Sequence, residues 1–350
     1  MSGGVDSSVA AALLAEQGHE VIGVSMQLYD QSDGQTAFGS CCSLDDLHDA
    51  RRVALALDIP HYIMNFERQF DEQVMSNFVR EYASGRTPLP CARCNADLKF
   101  STLAERARGF DADAVATGHY ARVERDEQSG RVRLRRGIDA GKDQAYFLFS
   151  LTQDQLARAV FPVGDRSKDA VRVYARSRGL PVADKPDSQE ICFIPDDDYA
   201  AFVTARAPET ARPGLLVDED GRVLGGHAGI HRFTVGQRKG LGLASLPTGA
   251  AMYVVALRPA DGQVVVGPRA SLERTTLTAS DVNWIAEEPA GPLRATVQIR
   301  HRHQAAPANV RSLGDARAEV VFDAPQIAIT PGQAVVFYDG DVVLGGGWID

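Results

Sequence analysis

The sequence predicts an α/β domain, a doubly wound parallel sheet with helices on both faces, followed by two small all-β domains, the last of them barrel-like. In the first part of the chain, segments with helical spacing alternate with short apolar, strand-like segments. Beyond about residue 205 the helical spacing ends, and β-rich runs are separated by Asp-Gly and Pro-Gly turns. A chain of 350 residues is also too long for one ordinary core. We therefore predict domains over residues 1–204, 205–276 and 277–350.

The elements of the first domain are predicted from periodicity and from helix-ending residues. Ser43 and Asp46 form the S-x-x-D pattern of a capping box. Gly18 and Gly85 follow helical segments, as expected of residues that end a helix. The sequence predicts helices over residues 9–17, 43–58, 70–84, 95–108 and 167–178, strands over 20–26, 59–66 and 114–117, and a hairpin over 122–136.

The composition indicates a globular protein of a reducing compartment. Hydrophobic residues make up 44% of the chain and charged residues 24%, as in soluble globular proteins. No apolar run is long enough to span a bilayer, and no secretory leader pattern precedes the first motif. Five cysteines are few and odd in number, which favours catalytic or metal-binding thiols over structural disulfides. We predict a cytoplasmic protein with no membrane partner.

The net charge of −9 is unevenly distributed along the chain. Residues 1–60 hold nine acids and two arginines, a net charge of −7. In contrast, residues 221–260 contain four Arg, one Lys and no acid, and residues 294–311 contain four Arg, two His and no acid. Two basic windows in an acidic protein indicate a polyanionic partner, although charge alone does not separate this from chance clustering in β-rich segments.

A loop rich in glycine and hydroxyl groups, Ser2-Gly3-Gly4-Val5-Asp6-Ser7-Ser8, directly precedes the first predicted helix. Small residues allow backbone N–H groups to close on an anion, and a helix N-terminus favours negative charge. A plain capped turn is the alternative, but it needs neither the second glycine nor two hydroxyls. The P-loop lysine motif is absent from the sequence. The loop resembles the SGGxDS loop of the PP-loop ATP pyrophosphatases, which split ATP into AMP and pyrophosphate while adenylating a carbonyl oxygen.

This resemblance implies an adenine nucleotide alpha hydrolase-like fold that uses ATP with Mg²⁺. Asp6, a catalytic residue, and Ser7 would lie at the phosphates. Met26 and Gly118 would border the nucleotide, with ordinary strand-end packing as the alternative. In this family a buried strand precedes the loop, so we expect that first strand to be missing from this sequence. The implied ATP-binding residues are Met1, Ser2, Gly3, Gly4, Val5, Asp6, Ser7, Ser8, Met26 and Gly118.

Two further motifs carry cysteines, Pro88-Leu89-Pro90-Cys91-Ala92-Arg93-Cys94-Asn95 and Asp187-Ser188-Gln189-Glu190-Ile191-Cys192-Phe193-Ile194. A thiol reacts as its thiolate, and a helix N-terminus or a nearby arginine lowers its pKa. Cys94 is predicted at a helix start beside Arg93, which favours a reactive thiolate. Cys192 is predicted in a strand-like run, where a buried inert thiol is the alternative.

Cys91 and Cys94 form a C-x-x-C pair that allows more than one chemistry. Zinc usually takes four ligands, whereas adding Cys192 gives only three thiolates. Three thiolates with one open position can hold an iron–sulfur cluster, so these three cysteines stay a candidate cluster site. The remaining expectations are buried or loop thiols at Cys41 and Cys42, surface or turn carboxylates at Asp187 and Glu190, and a solvated helix start at residues 196–198.

Taken together, in this order and spacing, the three motifs resemble those of the tRNA 2-thiouridylases, the MnmA family, over essentially the whole chain. These enzymes use ATP to convert the wobble uridine of tRNA to 2-thiouridine. The resemblance implies that Cys192 carries persulfide sulfur and that Cys94 frees it by forming a transient Cys94–Cys192 disulfide. Further matching stretches span residues 85–88, 116–120, 141–148, 161–164, 236–242 and 331–333.

The same resemblance implies tRNA partners, namely the isoacceptors for Lys, Glu and Gln, and sulfur that comes ultimately from a cysteine desulfurase. A tyrosine commonly follows the arginine at the Arg300 site, whereas His301 stands there in this chain. From the resemblance and the basic windows, the predicted tRNA contacts are Leu89, Pro90, Cys91, His119, Lys142, Asp143, Gln144, Arg238, Lys239, Arg300, His301 and Gln333.

Three alternatives stay open from the sequence. The first is tRNA thiolation through an iron–sulfur cluster on Cys91, Cys94 and Cys192. The second is a PP-loop synthetase with a small-molecule substrate, which needs neither cysteine motif and leaves the basic windows unexplained. The third is a non-catalytic tRNA-binding protein whose loop no longer binds ATP.

Overall fold

The computed structural model of the chain describes residues 1–29, 44–187, 191–194, 198–243 and 251–350. The chain divides into two compact units. The first comprises Met1–Met75, Pro90–Asp197 and Gly340–Leu344, and the second comprises Ser76–Leu89, Asp198–Asp339 and Gly345–Asp350. Predictions for Cys41, Cys42, the Ser43 capping box, Glu190 and residues 196–197 lie outside the described residues.

The helices of the described residues are mostly short. Asp71–Met75 and Cys94–Thr102 are π-helical. The α-helices are α1 (Val5–Glu16), α2 (Leu44–Ala56), α3 (Glu67–Phe70), α4 (Ser76–Ala83), α5 (Pro90–Arg93), α6 (Leu103–Ala107), α7 (Gln153–Ala157), α8 (Lys168–Ser177) and α9 (Tyr199–Arg206).

The strands of the described residues are longest at the end of the chain. They are β1 (Gly23–Gln27), β2 (His61–Asn65), β3 (Val115–Ala116), β4 (Ala121–Arg125), β5 (Val132–Arg136), β6 (Ala159–Val160), β7 (Gly214–Val217), β8 (Val223–His227), β9 (Tyr253–Arg258), β10 (Gln263–Gly267), β11 (Glu273–Trp284), β12 (Leu293–Gln298), β13 (Ala306–Gly314), β14 (Arg317–Ile327), β15 (Ala334–Asp339) and β16 (Val342–Ile349).

The first unit has the predicted α/β arrangement. β1 pairs in parallel with β2, from Gly23 opposite His61 to Gln27 opposite Asn65, and β3 pairs in parallel with β6. The predicted hairpin is present as the antiparallel strands β4 and β5. Parallel strands connected through helices confirm the predicted fold class.

Helix α1 lies in the hydrophobic core of this unit. Its Val9 side chain is fully buried and clusters with Val171 of α8. The helix begins at Val5 and not at residue 9, because Gly4 caps it in an extended conformation and Ser8 Oγ donates to the Gly4 carbonyl at 2.8 Å. The polar residues assigned to the loop from sequence thus form the first helical turn.

The second unit contains a four-stranded sheet and a closed barrel. The sheet has the order β8-β7-β10-β9, with β7 and β10 parallel and the other pairs antiparallel. The described strands of the barrel follow the order β11-β14-β13-β12-β15-β16, and pairing of β11 with β16 closes it. Closure removes free strand edges. The barrel confirms the prediction that the chain ends in a barrel-like β structure.

Phe337 tests the packing of the barrel core. Its buried ring lies 5.4 Å from the Trp284 ring, measured between centroids. Phe337→Ala should lower the free energy of unfolding by about 3–5 kcal/mol, because it leaves a cavity. Leu313→Ala, at a side chain 44% exposed on the same barrel, is the control and should cost about 0.5 kcal/mol or less. Urea unfolding followed by tryptophan fluorescence measures both, and equal losses would contradict this core.

Candidate active site

The glycine–serine loop closes directly onto the N-terminus of α1. Gly3 has a φ of +69°, and a Cβ there would lie 2.2 Å from the Asp46 carbonyl oxygen, so only glycine fits. Ser7 Oγ accepts a hydrogen bond from the Ser2 N–H at 3.1 Å and donates to the Gly4 carbonyl at 3.2 Å. The first N–H groups of a helix have no intrahelical partner. The loop therefore has the arrangement that binds anions at a helix start.

Gly118 packs against the backbone of the same loop. A Cβ at Gly118 would lie 2.6 Å from both the Ser7 nitrogen and the Asp6 carbonyl carbon. The structure thus brings Gly118 to the loop, two residues after β3 ends. Met26 lies in β1 opposite Met64 and is half-buried. Nucleotide contact by these residues stays a prediction.

Asp6 is held by a buried lysine that the sequence does not mark. Lys168, the first residue of α8, is 8% exposed, and its Nζ lies 2.8 Å from each carboxylate oxygen of Asp6. Tyr120 donates its O–H to Asp6 Oδ1 at 2.8 Å. Burial, followed by the charge of Asp6, raises the pKa of Tyr120, so this hydroxyl stays a neutral donor.

Asp187 is the second partner of this lysine, so the expectation of a surface or turn carboxylate is wrong. Asp187 oxygens lie 2.8 Å from Lys168 Nζ, 2.7 Å from Lys142 Nζ and 2.9 Å from Arg172 Nη2. Burial acts to raise the pKa of Asp187, but hydrogen bonds from Lys142 and Lys168 outweigh it and lower the pKa to about 2. Asp187 is therefore ionised at neutral pH. Only the fold reveals this network of charges, because Asp6 and Lys168 are 162 positions apart in the sequence.

Cys94 lies inside a helix and not at its start, which corrects the prediction. The helix begins at Pro90, because proline lacks the N–H that the first helical position leaves unbonded. It then continues through the π-helical stretch Cys94–Thr102. Cys94 is 8% exposed, whereas Cys91 is exposed. The helix N-terminus is therefore closer in the chain to Cys91 than to Cys94.

Cys192 lies in a turn and not in the predicted strand. The Ile194 N–H donates to the Ile191 carbonyl at 3.0 Å and closes this turn. Phe193 is buried, and its ring meets the Phe70 ring edge-on at 5.5 Å. The apolar residues that suggested a strand thus anchor a turn, in which Cys192 is partly exposed.

The cysteines show neither of the two arrangements considered for them. Among the described residues, Cys91, Cys94 and Cys192 form no disulfide, and no three His, Cys, Asp or Glu side chains are grouped as metal ligands. The transient disulfide and the three-thiolate cluster both stay predictions.

The predicted tRNA contacts of the first unit also bond to the protein itself. Asp143 is buried and accepts a hydrogen bond from an arginine of β5 at 2.7 Å. Gln144 Oε1 accepts the Tyr120 N–H at 3.0 Å, and Lys142 pairs with Asp187 as described. Burial, followed by the Lys99 charge, holds the pKa of His119 well below its usual value. His119 is therefore neutral at pH 7.

The two basic windows both lie in the second unit, and they differ in how their basic side chains are paired. Arg238 and Lys239 of the first window are exposed. In the second window, Arg294 and Arg311 each pair with a carboxylate of β14. That window has no acids in the sequence, but strand pairing places Glu319 directly opposite Arg311. Arg294 and Arg311 are therefore paired within the barrel, and contact of the second window with a polyanion stays a prediction.

Gln333 holds the chain just before the C-x-x-C segment. Its side-chain amide donates to the carbonyls of Thr87 and Pro88 at 3.1 and 3.3 Å. The Thr87 N–H in turn donates to the Pro331 carbonyl at 2.8 Å. Leu89 and Pro90 follow directly in the chain.

The remaining predicted contacts lie on a turn of the barrel. Arg300 Nη1 donates to the Ile327 carbonyl at 3.0 Å, and His301 is exposed. Contact of these residues and of Gln333 with tRNA stays a prediction.

The chain matches three family models in the order of its fold. They are described as a "tRNA methyl transferase HUP domain" over residues 1–196, a "tRNA methyl transferase PRC-barrel domain" over 200–268 and an "Aminomethyltransferase beta-barrel domain" over 274–349. The fold and the loop thus define a HUP-domain protein with two appended β domains.

Sequence identity to related proteins identifies the particular family. The chain is 53% identical to the tRNA-specific 2-thiouridylase MnmA of Geotalea uraniireducens, covering 100% of this chain and 93% of that protein. It is 54% identical to the one from Solibacter usitatus, covering 100% and 98%. The chain belongs to the tRNA-specific 2-thiouridylase family, which confirms the resemblance found in its sequence. No helix among the described residues is long and apolar enough to cross a membrane.

Gly118 tests the nucleotide role of the loop. In Gly118→Ala the added methyl group meets the loop backbone at 2.6 Å, so the backbone must shift. Such a shift should weaken ATP binding at least about tenfold. Gly109→Ala is the matched control, because a Cβ at Gly109 has no atom within 4 Å. Titration with a fluorescent ATP analogue measures both, and equal affinities would contradict a nucleotide site at this loop.

Arg238 and Lys239 test the nucleic-acid surface. If both face phosphates, tRNA affinity falls with salt at a log–log slope of about 0.7–0.9 per phosphate neutralised. Replacing both by Ala should flatten that slope by up to about two units. Arg269→Ala, an exposed arginine outside both windows, should leave the slope unchanged. Filter-binding titrations over a range of KCl concentrations measure it, and an unchanged slope in the double variant would mean that these side chains point away from tRNA.

Proposed function

We propose that this chain converts the wobble uridine of tRNA to 2-thiouridine, by adenylating the uridine O2 with ATP and then transferring sulfur from a persulfide on Cys192. Membership of the 2-thiouridylase family makes the chain a tRNA sulfurtransferase. One observation carries the finer proposal: the first unit holds both a preformed anion-binding loop and the two motif thiols, Cys94 and Cys192.

Activation comes first, because the O2 of uridine is a poor leaving group. Nucleophilic attack of O2 on the α-phosphate of ATP releases pyrophosphate and leaves O2 as part of AMP. The backbone N–H groups at the start of α1 stabilise negative charge on the phosphates. Mg²⁺ enters with ATP, since this ion is commonly bound through substrate phosphates together with few protein ligands.

Sulfur transfer follows as an exchange that conserves electrons. The terminal sulfur of the Cys192 persulfide attacks C2 and displaces AMP together with the former O2. The Cys94 thiolate attacks Cys192 Sγ, which releases 2-thiouridine and leaves a Cys94–Cys192 disulfide. Two thiols are thus oxidised as the transferred sulfur is reduced, and an external thiol resets the enzyme. The tether makes sulfur delivery a local step.

The chemistry of the chain favours sulfur over methyl transfer, although two of the family models carry the words methyl transferase. Adenylation suits displacement of an oxygen by a nucleophile, and a persulfide is such a nucleophile. The tRNAs proposed are those for Lys, Glu and Gln, and the sulfur donor is a cysteine desulfurase or a protein that relays its sulfur. Arg238 and Lys239, both exposed, support an electrostatic contact with the tRNA backbone.

The two thiols of the relay are tested by two single substitutions. Cys94→Ser and Cys192→Ser should each abolish 2-thiouridine formation but leave pyrophosphate release largely intact, because the loop is a separate part of the site. A single turnover of the wild type without reductant should leave a Cys94–Cys192 disulfide, whose Cα atoms must approach within about 4.4–6.8 Å. Peptide mass spectrometry detects this cross-link. Its absence from a protein that has made 2-thiouridine would contradict the relay.

Cys91→Ser distinguishes the persulfide relay from the iron–sulfur cluster. Under the relay it should retain substantial activity, because Cys91 has no covalent role. A cluster on Cys91, Cys94 and Cys192 instead requires that activity and bound iron are lost together. Anaerobic purification followed by iron analysis and nucleoside analysis measures both, and a joint loss would falsify the relay.

A further inference from the structure

A charge network around the buried Lys168 joins two residues of the first unit that are distant in sequence, Asp6 and Asp187. Asp6 lies in the first turn of α1, directly after the loop, and Asp187 lies five residues before Cys192 in the sequence. Lys168 Nζ is 2.8 Å from an oxygen of each carboxylate. An ammonium group has three N–H donors, and its contacts with Asp6 and Asp187 use all three.

Helix α8 holds both Lys168 and Asp187 in place. Ser167 caps the helix through its hydroxyl, and the Lys168 N–H donates to Asp139 at 2.8 Å. One turn further on, Arg172 donates to the carbonyls of residues 183 and 185 at 3.2 and 3.0 Å and to Asp187 at 2.9 Å. The chain up to Asp187 is therefore attached to the helix that supplies Lys168.

We propose that Lys168 and Asp187 are positioning residues. Their ion pair holds Cys192 at the position from which its sulfur reaches a uridine activated at the loop, so sulfur transfer depends on this pair. This inference rests on the proposed function, because it concerns how adenylation and sulfur delivery are aligned at one site. Phosphates bound at the loop compete with Asp6 for Lys168. Nucleotide binding therefore changes the contact between Lys168 and Asp187 and, through it, the position of Cys192.

Asp187→Asn is the sharpest test, because it keeps the side-chain size and leaves the Lys168–Asp6 pair in place. The full chain is assayed with ATP, Mg²⁺, tRNA and a persulfide donor, and both pyrophosphate and 2-thiouridine are quantified. Pyrophosphate release should stay within about twofold of wild type. The amount of 2-thiouridine formed per pyrophosphate should fall at least about tenfold, because the Cys192 persulfide is misplaced.

The controls lie on the same helix. Arg176→Gln breaks a surface pair with Asp184 and should change neither product. Lys168→Met should lower both products, since it also releases Asp6, and Lys168→Arg should restore 2-thiouridine in part. A proportional loss of both products in Asp187→Asn, or an unchanged ratio, would overturn the link.

A second measurement on the wild type covers the case in which Asp187→Asn does not fold. ATP with Mg²⁺ should change the rate at which iodoacetamide alkylates Cys192 by at least about twofold, as expected when a ligand shifts a coupled segment. An unchanged rate would overturn the link. If the wild type makes no 2-thiouridine, the proposed function fails, and the alkylation rate still decides the link separately.

Discussion

The crowding of backbone around the N-terminus of α1 is the constraint on which the rest of the first unit depends. Gly3 lies against the Asp46 carbonyl, and Gly118 lies against the backbone of Asp6 and Ser7, at distances that exclude any side chain. Two glycines far apart in sequence thereby hold the loop, α2 and the end of β3 together. A loop held in this way is preorganised, so an anion binds to it without a large cost of ordering.

The charges beside this backbone follow from the same packing. Burying Lys168 would be costly without partners, and Asp6 and Asp187 supply them from opposite ends of the unit's sequence. Removing one partner from a buried pair typically costs about 3–5 kcal/mol, whereas the intact pair adds little net stability. Such a network is therefore better suited to setting the register of two segments than to stabilising the fold.

The sequence predicts the fold class, the loop and the hairpin, because each has a local signal. Glycine and hydroxyl residues before an apolar helix, a polar turn between strands and the loss of helical spacing can all be read within a few residues. The start of the Cys94 helix at Pro90 also has a local signal, since proline favours the first helical turn. The turn at Cys192 has none, because it depends on the contact between Phe193 and Phe70.

What escapes prediction from sequence is long-range pairing. Lys168 becomes part of the site only because α8 packs on α1, and Asp187 becomes part of it only through Lys168. The same reason explains the second basic window, where the pairing of β13 with β14 supplies carboxylates that the local sequence lacks. Net charge counted along the sequence misjudges the local charge of the folded protein wherever strand pairing places oppositely charged residues beside one another.

In the proposed mechanism sulfur transfer follows activation of the uridine O2, and the fate of that oxygen tests this order most directly. The measurement uses tRNA labelled with oxygen-18 at C2 of the wobble uridine, turned over with ATP and a persulfide donor. Mass spectrometry should find one labelled oxygen in the phosphate of AMP for each 2-thiouridine formed, with pyrophosphate unlabelled. Formation of 2-thiouridine with the label in water and unlabelled AMP would contradict adenylation of the base.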